Sequence, residues 1–295
     1  MKRRYLQIIL AAVLFLLALG LTLYPVVSNY YNQRHRSQIQ TAYREVLEQT
    51  DTAELERIRE QAAAYNAAIT PGTAEEAYSQ EAILTASNNY VNQLNVGGSG
   101  IMGYIDIPKI NVDLPIYHGT GSDALDRGTG HLLGSSLPVG GEGTHTIITG
   151  HSGMASQKMF TDLEQLQEGD VFYLRVLDET LAYEVKAVHT VLPHDTSFLG
   201  IVPGEDLCTL VTCTPTGVNT HRLLVQGSRI PYEPTVEAQN TESEYKVADS
   251  SHWEDQYWLG IRLGLAAMVS VVLLLNVFLY LRKKKPQKGG RYVRK

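Results

Sequence analysis

Two long apolar runs, one near each end of this 295-residue chain, limit what the rest of it can be. The first is almost unbroken from Ile8 to Leu23, and the second covers residues 258–281, interrupted by Arg262 and Asn276. A helix crosses the hydrocarbon core of a bilayer in about 20 residues, so each run predicts a transmembrane helix. Residues 1–27 are expected to be an anchor or a signal segment. The apolar run is longer than a usual signal core and no clean A-x-A-like site follows it, which favours an anchor. Lys2, Arg3 and Arg4 precede the first run, and a basic tail, 282–295, follows the second. Basic flanks stay on the cytoplasmic side of the plasma membrane. Both termini are therefore expected in the cytoplasm, with residues 28–257 extracellular; the tail reads as a topology signal touching anionic lipid.

Charge is divided in the same way. All 31 acidic residues lie between the runs, with only 13 of the 25 basic ones, which leaves the intervening part at a net of −18. So acidic a domain lacks the clustered Lys and Arg that neutralise phosphates, and nucleic acid is excluded as a partner. The chain has two cysteines, Cys208 and Cys213. On one strand an odd separation sends them to opposite faces, so no bridge between them is expected. A thiol left unpaired outside the cell is a functional hint.

Between the runs the texture changes once. Residues 29–66 carry Ile39, Tyr43, Val46 and Leu47 at helical spacing, and Asp51 followed by Glu54 resembles a cap opening a second helix through Leu55, Ile58 and Ala62. A docking hairpin and a solvated amphipathic helix fit this pattern equally. Periodicity fades over 70–100, and Val96, Gly97, Gly98, Ser99 and Gly100 form a joint, so 28–100 is a helical extension. From there short strands separated by Gly- and Pro-rich turns replace helices: Tyr104–Ile107, Asp113–Tyr117, Thr144–Thr149, Val171–Val176, Leu181–Leu192, Leu207–Cys213 and His221–Ser228. They predict a mostly β barrel or sandwich over 101–232. One internal stretch, Phe160–Gln167, reads as helical. Residues 233–257 form an acidic linker back to the second run.

Cys213 closes the strand Thr209-Leu210-Val211-Thr212-Cys213 beside a loop opened by Thr214-Pro215. Cys208, inside that strand, reads as a small buried hydrophobe. A reactive thiol needs a proton carrier and a donor for developing negative charge. His151 ends another strand, in Thr149-Gly150-His151-Ser152-Gly153, and Arg222 opens the strand after the Cys213 loop, where its guanidinium can serve an oxyanion. Neither a thiol pKa lowered by the site nor a minor ionised form is selected by the sequence. His118, His131, His145 and His151 match no common zinc spacing, and Gly150-His151-Ser152-Gly153 is not a nucleophile elbow for Ser152. No metal and no cofactor are expected.

The segment Thr209–Cys213 resembles the sortase motif T-L-x-T-C, Thr149-Gly150-His151 its histidine segment, and Arg222 stands where its arginine does. The likeness runs over about 85–232, through Gly103–Lys109, Leu114–Thr120, Gly130–Leu132 and Ser136–Gly141. The closest subgroup is the class C, pilin-polymerising sortases, which also carry a hydrophobic segment at each end and a helical extension. The resemblance implies a closed eight-stranded β-barrel on the outer face of a Gram-positive membrane. It implies cleavage of an LPXTG-like signal between Thr and Gly, a thioacyl intermediate on Cys213, and transfer to an amine, a pilin lysine in pilus assembly. His151 and Arg222 would complete the catalytic set. Many class C members cover the cysteine with a lid carrying Asp-Pro and an aromatic residue. No Asp-Pro occurs here, and the corresponding Thr70–Tyr78 offers at most Tyr78. A sortase anchoring proteins directly to cell-wall peptide, a non-catalytic scaffold for sorting signals, and a plain cysteine peptidase are the alternatives.

Overall fold

Alternating apolar residues close residues 101–230 into an eight-stranded barrel. The strands are β1 (Ile101–Ile107), β2 (Val112–His118), β3 (Thr129–His131), β4 (Thr144–Thr149), β5 (Val171–Val176), β6 (Glu179–Val191), β7 (Asp206–Thr214) and β8 (His221–Ile230). In this computed structural model, which describes residues 2–69, 89–154, 157–234 and 252–283, their order around the barrel is β1-β2-β3-β4-β7-β8-β6-β5. β2 with β3 and β4 with β7 are parallel pairs; the others are antiparallel.

Inside, Cys208 and Leu210 of β7 meet Ile148 of β4, Val225 of β8 and the stacked Phe172 and Tyr183. Outside the same sector, Ile147, Val191, Val211 and Leu224 form a second apolar cluster beneath Leu199, which belongs to the 192–205 connection. Burial on both faces explains why residues 207–212 of β7 are all buried rather than alternating.

The helical extension is docked, not merely solvated. Helix α1 (Lys2–Gln49) ends just before Asp51, whose carboxylate accepts from Ala53 N at 2.9 Å and caps α2 (Thr52–Ala68). Ile39, Tyr43 and Leu47 pack on Ile101, Tyr104 and Tyr117, while Leu55 and Ala62 join the barrel core. Asn66 adds a two-way clamp: it donates to Leu137 O at 3.1 Å and accepts from Leu137 N at 2.7 Å.

Three local expectations change. Phe160–Gln167 is not an α-helix but a series of turns with one 3-10 turn, Leu163–Gln165. Phe160, Leu163 and Leu166 are all buried in the core, so burial, not helical repetition, sets their spacing. The three-residue β3 escaped the strand pattern because it is too short to alternate. A single helical turn, α3 (Ser122–Leu125), connects β2 to β3. The lid stretch Thr70–Tyr78 lies outside the described residues, as does most of the acidic linker.

Residues Met1–Val27 with Glu254–Lys295 form a compact unit separate from Ser28–Trp253. Helix α4 (His252–Lys283) starts ahead of the second apolar run, and both runs are helical. Among the described residues no helix is long and apolar enough to cross a membrane, so the expectation of two spans rests on the sequence runs themselves.

His131, on β3, is fully buried, and burial pushes its pKa down from 6.5 to about 4. Its Nε2 lies 2.8 Å from Ser136 O and its Nδ1 2.9 Å from Tyr90 Oη. Both contacts are met by a neutral ring that donates from Nε2 and accepts at Nδ1. The unfolded chain takes up this proton near pH 6.5 and the folded chain only near 4, so stability is lost as pH falls between them. The loss is about 3 kcal/mol if the ring stays buried. Denaturant unfolding at pH 7 and pH 4 checks it: His131→Gln should be less stable at pH 7 but lose less than the unsubstituted chain on acidification.

Candidate active site

Three hydrogen bonds lay the extension of β4 along the end of β7. Gly150 N donates to Val211 O at 3.0 Å, Thr212 Oγ1 donates to Gly150 O at 2.8 Å, and Ser152 Oγ donates to Cys213 O at 2.7 Å. Thr149 pairs with Val211, so two residues further on His151 comes beside Cys213. On the other side Cys213 pairs directly with Arg222 of β8; such partners have Cβ atoms about 4.5–5.5 Å apart and share a face. That face is the outer one, because Val211 and Leu224, each two residues away, belong to the outer cluster. The structure therefore brings Cys213, His151 and Arg222 together on one side, at the outer surface of the barrel wall.

Each of the three is partly open to solvent. Arg222 Nη1 donates to His221 O at 3.1 Å and to Asn219 O at 3.4 Å. Asn219 has φ 61°, in the left-handed region that asparagine tolerates. Both acceptors engage the same nitrogen of a group with five N–H donors, so much of the fork is left for a substrate oxygen. Cys208 is the opposite case. It is fully buried on the inner face, where burial, followed by Asp206, raises its thiol pKa well above the usual value. A sulfur in that state is a poor nucleophile.

Like His131, His118 and His145 are structural. His118 has its ring nitrogens against Gly100 O and Gln93 O, at 3.1 and 2.7 Å. His145 points outward but is buried, with Nδ1 2.7 Å from Gly200 O and Nε2 2.7 Å from Thr209 Oγ1; burial lowers its pKa. It ties the 192–205 connection over the apolar cluster, and that connection leaves β6 at Val191, the strand partner of Arg222. Sequence reasoning gave that connection no part. Its trace in the sequence is faint, because His145 and Thr209 are only two of several polar residues on β4 and β7.

The glycine before His151 is required by packing. A Cβ at Gly150 would lie 2.7 Å from Phe160 Cδ2 and 2.8 Å from Cγ, and Phe160 N donates to His151 O at 2.9 Å. Gly150→Ala must therefore shift either the ring or the histidine segment. Overpacking of this kind costs about 1–3 kcal/mol, and misplacement near 1 Å can cost about a hundredfold in rate. The expected result is a lowered Tm with at least a roughly tenfold drop in kcat/KM, read by thermal unfolding and peptide turnover.

Comparison with known proteins agrees with this geometry. Residues 105–230 match the family described as the sortase domain. Sortase D of Bacillus subtilis (strain 168) is 30% identical over 131 residues, covering 43% of this chain and 63% of that protein. The chain spans less than two thirds of the length of the curated relatives it matches. Among solved structures, sortase C1 from Streptococcus agalactiae is 44% identical with a TM-score of 0.61, covering 65% of this chain and 98% of that one. Streptococcus pneumoniae sortase C, whose structure is described as informing on catalysis and pilin substrate specificity, is 43% identical with a TM-score of 0.59, covering 66% and 97%.

Proposed function

Because this chain belongs to the sortase family, we propose that it is a cysteine transpeptidase that cleaves an LPXTG-like sorting signal and passes the acyl group to a lysine side chain of a pilin. The observation that carries the reading is the direct pairing of Cys213 with Arg222 across β7 and β8, with the His151 segment bonded along the other side of Cys213.

The chemistry follows from that placement. The Cys213 thiolate attacks the Thr carbonyl carbon, and the Arg222 guanidinium donates to the oxygen as it gains negative charge. The His151 imidazolium gives its proton to the leaving Gly nitrogen, the C–N bond breaks, and a thioester remains on Cys213. His151, now neutral, takes a proton from the incoming amine. The amine attacks the thioester, an amide forms, and the thiolate leaves. Pilin as the acceptor is favoured by the class C solved structures.

In the same reading the two terminal helices hold the barrel at the outer face of a plasma membrane. Leu14, Leu16 and Leu17 of α1 and Leu263, Val269 and Leu273 of α4 are exposed. So much exposed apolar surface calls for a covering phase, and the basic clusters at Lys2–Arg4 and in 282–295 fit the cytoplasmic side.

The test uses the full chain in detergent with an LPXTG-like peptide and purified pilin subunits. The expected results are a thioester located on Cys213 by mass spectrometry and ladders of covalent pilin polymer. Coupling to a cell-wall peptide amine without ladders would move the chain to wall anchoring. Release of free acid alone would make it a peptidase, and binding without any covalent adduct would make it a scaffold.

A further inference from the structure

Asp126, the residue after α3, has no part in the steps above, yet its Oδ1 lies 3.8 Å from His151 Nε2. Its main chain is fixed at both ends: its N donates to Ser122 O at 2.9 Å, and its O accepts from Gln157 Nε2 at 2.8 Å. Gln157 is buried and belongs to the same β4–β5 connection as His151. That connection is itself fastened to β7 through Ser152 and Cys213. Carboxylate and imidazole are thus held toward each other by bonds that do not involve the charged groups.

We propose that Asp126 is a positioning residue for His151, resting on the reading that His151 carries the proton. At 3.8 Å the contact is electrostatic rather than a hydrogen bond. The negative charge favours a proton on Nε2, the ring nitrogen that faces it, and so holds the imidazole in one tautomer and orientation and supports the protonated ring that accompanies the thiolate. The other charged or titratable groups around His151 are Cys213 from β7, Arg222 opposite Cys213 on β8, and Lys158 on its own connection. Lys158 is occupied by the buried Asp162 at 3.0 Å. Asp126 is therefore the carboxylate that reaches His151 among the described residues. Its side chain is 63% exposed and that of His151 39%, so water screens the pair and the effect is modest.

The decisive measurement needs no substrate: the rate of Cys213 alkylation by iodoacetamide against pH, on the full chain in detergent, with Cys208 buried out of reach. Asp126→Asn should move the reactive limb to higher pH. Asp126→Glu should return most of that shift, His151→Ala should erase the effect of Asp126→Asn, and about 1 M salt should shrink it. With peptide and amine, kcat/KM should fall roughly three- to tenfold. Superimposable alkylation profiles for the unsubstituted and Asp126→Asn chains would overturn the proposal. So would an unchanged profile with a raised KM for the amine alone, which would make Asp126 a dock for the acceptor ammonium. If the profiles shift as expected while no chain, the unsubstituted one included, transfers peptide to an amine, the positioning role stands and the transpeptidase reading falls.

Discussion

A Cys213→Ala chain should form no thioester with an LPXTG-like peptide and transfer nothing to an amine, while Cys208→Ala should turn over almost normally. The two sulfurs lie on one strand, five residues apart, yet face opposite sides of it. Cys213 is partly exposed and paired with Arg222, whereas Cys208 is fully buried. Loss of the nucleophile in an acyl-transfer site costs on the order of 10⁶ in turnover, which places Cys213→Ala below detection. Cys208→Ala removes only a buried sulfur; its cost falls on stability, about 1–3 kcal/mol, and not on the reaction. Intact-mass spectrometry after incubation with peptide reads the adduct, and circular dichroism shows whether each variant is folded. A covalent adduct on the Cys213→Ala chain, or loss of turnover in a folded Cys208→Ala chain, would mean that the wrong sulfur carries the acyl group.

That pair also shows what the sequence could and could not convey. The odd spacing of Cys208 and Cys213 was enough to separate their faces, because strand periodicity is local. The likeness of Thr209–Cys213, Thr149–His151 and Arg222 to sortase motifs was enough to group three residues far apart in the chain. What stayed hidden depends on contacts that periodicity does not encode. Leu199 covers a second apolar layer outside the barrel and His145 fastens the main chain beside it, and nothing in the 192–205 connection announces that it folds back onto β4 and β7. Phe160, Leu163 and Leu166 imitate a helical stripe because successive turns happen to bury them. Asp126 reaches His151 through the one-turn helix α3, and a four-residue element leaves too little pattern to detect. Asn66, a polar residue near the end of α2, clamps Leu137 from 71 positions away. Tertiary pairing alone explains why it is buried.

Arg222→Ala should lower kcat by about 10²–10³-fold, the cost of one oxyanion donor, about 2.7–4 kcal/mol, while KM for the sorting peptide changes little. The reason lies in when the guanidinium acts. Arg222 faces Cys213 across the β7–β8 pair, and its Nη1 is already held by two main-chain carbonyls, His221 O and Asn219 O. An arginine fixed in that way is oriented before substrate arrives and gains most when the substrate oxygen becomes negative, so its removal is felt in the transition state more than in binding. Arg222→Lys keeps the charge and three donors but lacks the planar fork, so the two carbonyls no longer aim its remaining donor at the oxyanion. It should recover only part of the loss. Single-turnover acylation measured over a range of peptide concentrations separates the two effects. A raised KM at unchanged kcat would assign Arg222 to ground-state binding of the signal. Asn219→Val provides an independent check, because a β-branched residue strains the left-handed turn that directs its carbonyl at Nη1. If orientation of the guanidinium matters, that variant should move kcat in the same direction as Arg222→Ala, by a smaller factor, without touching the arginine itself.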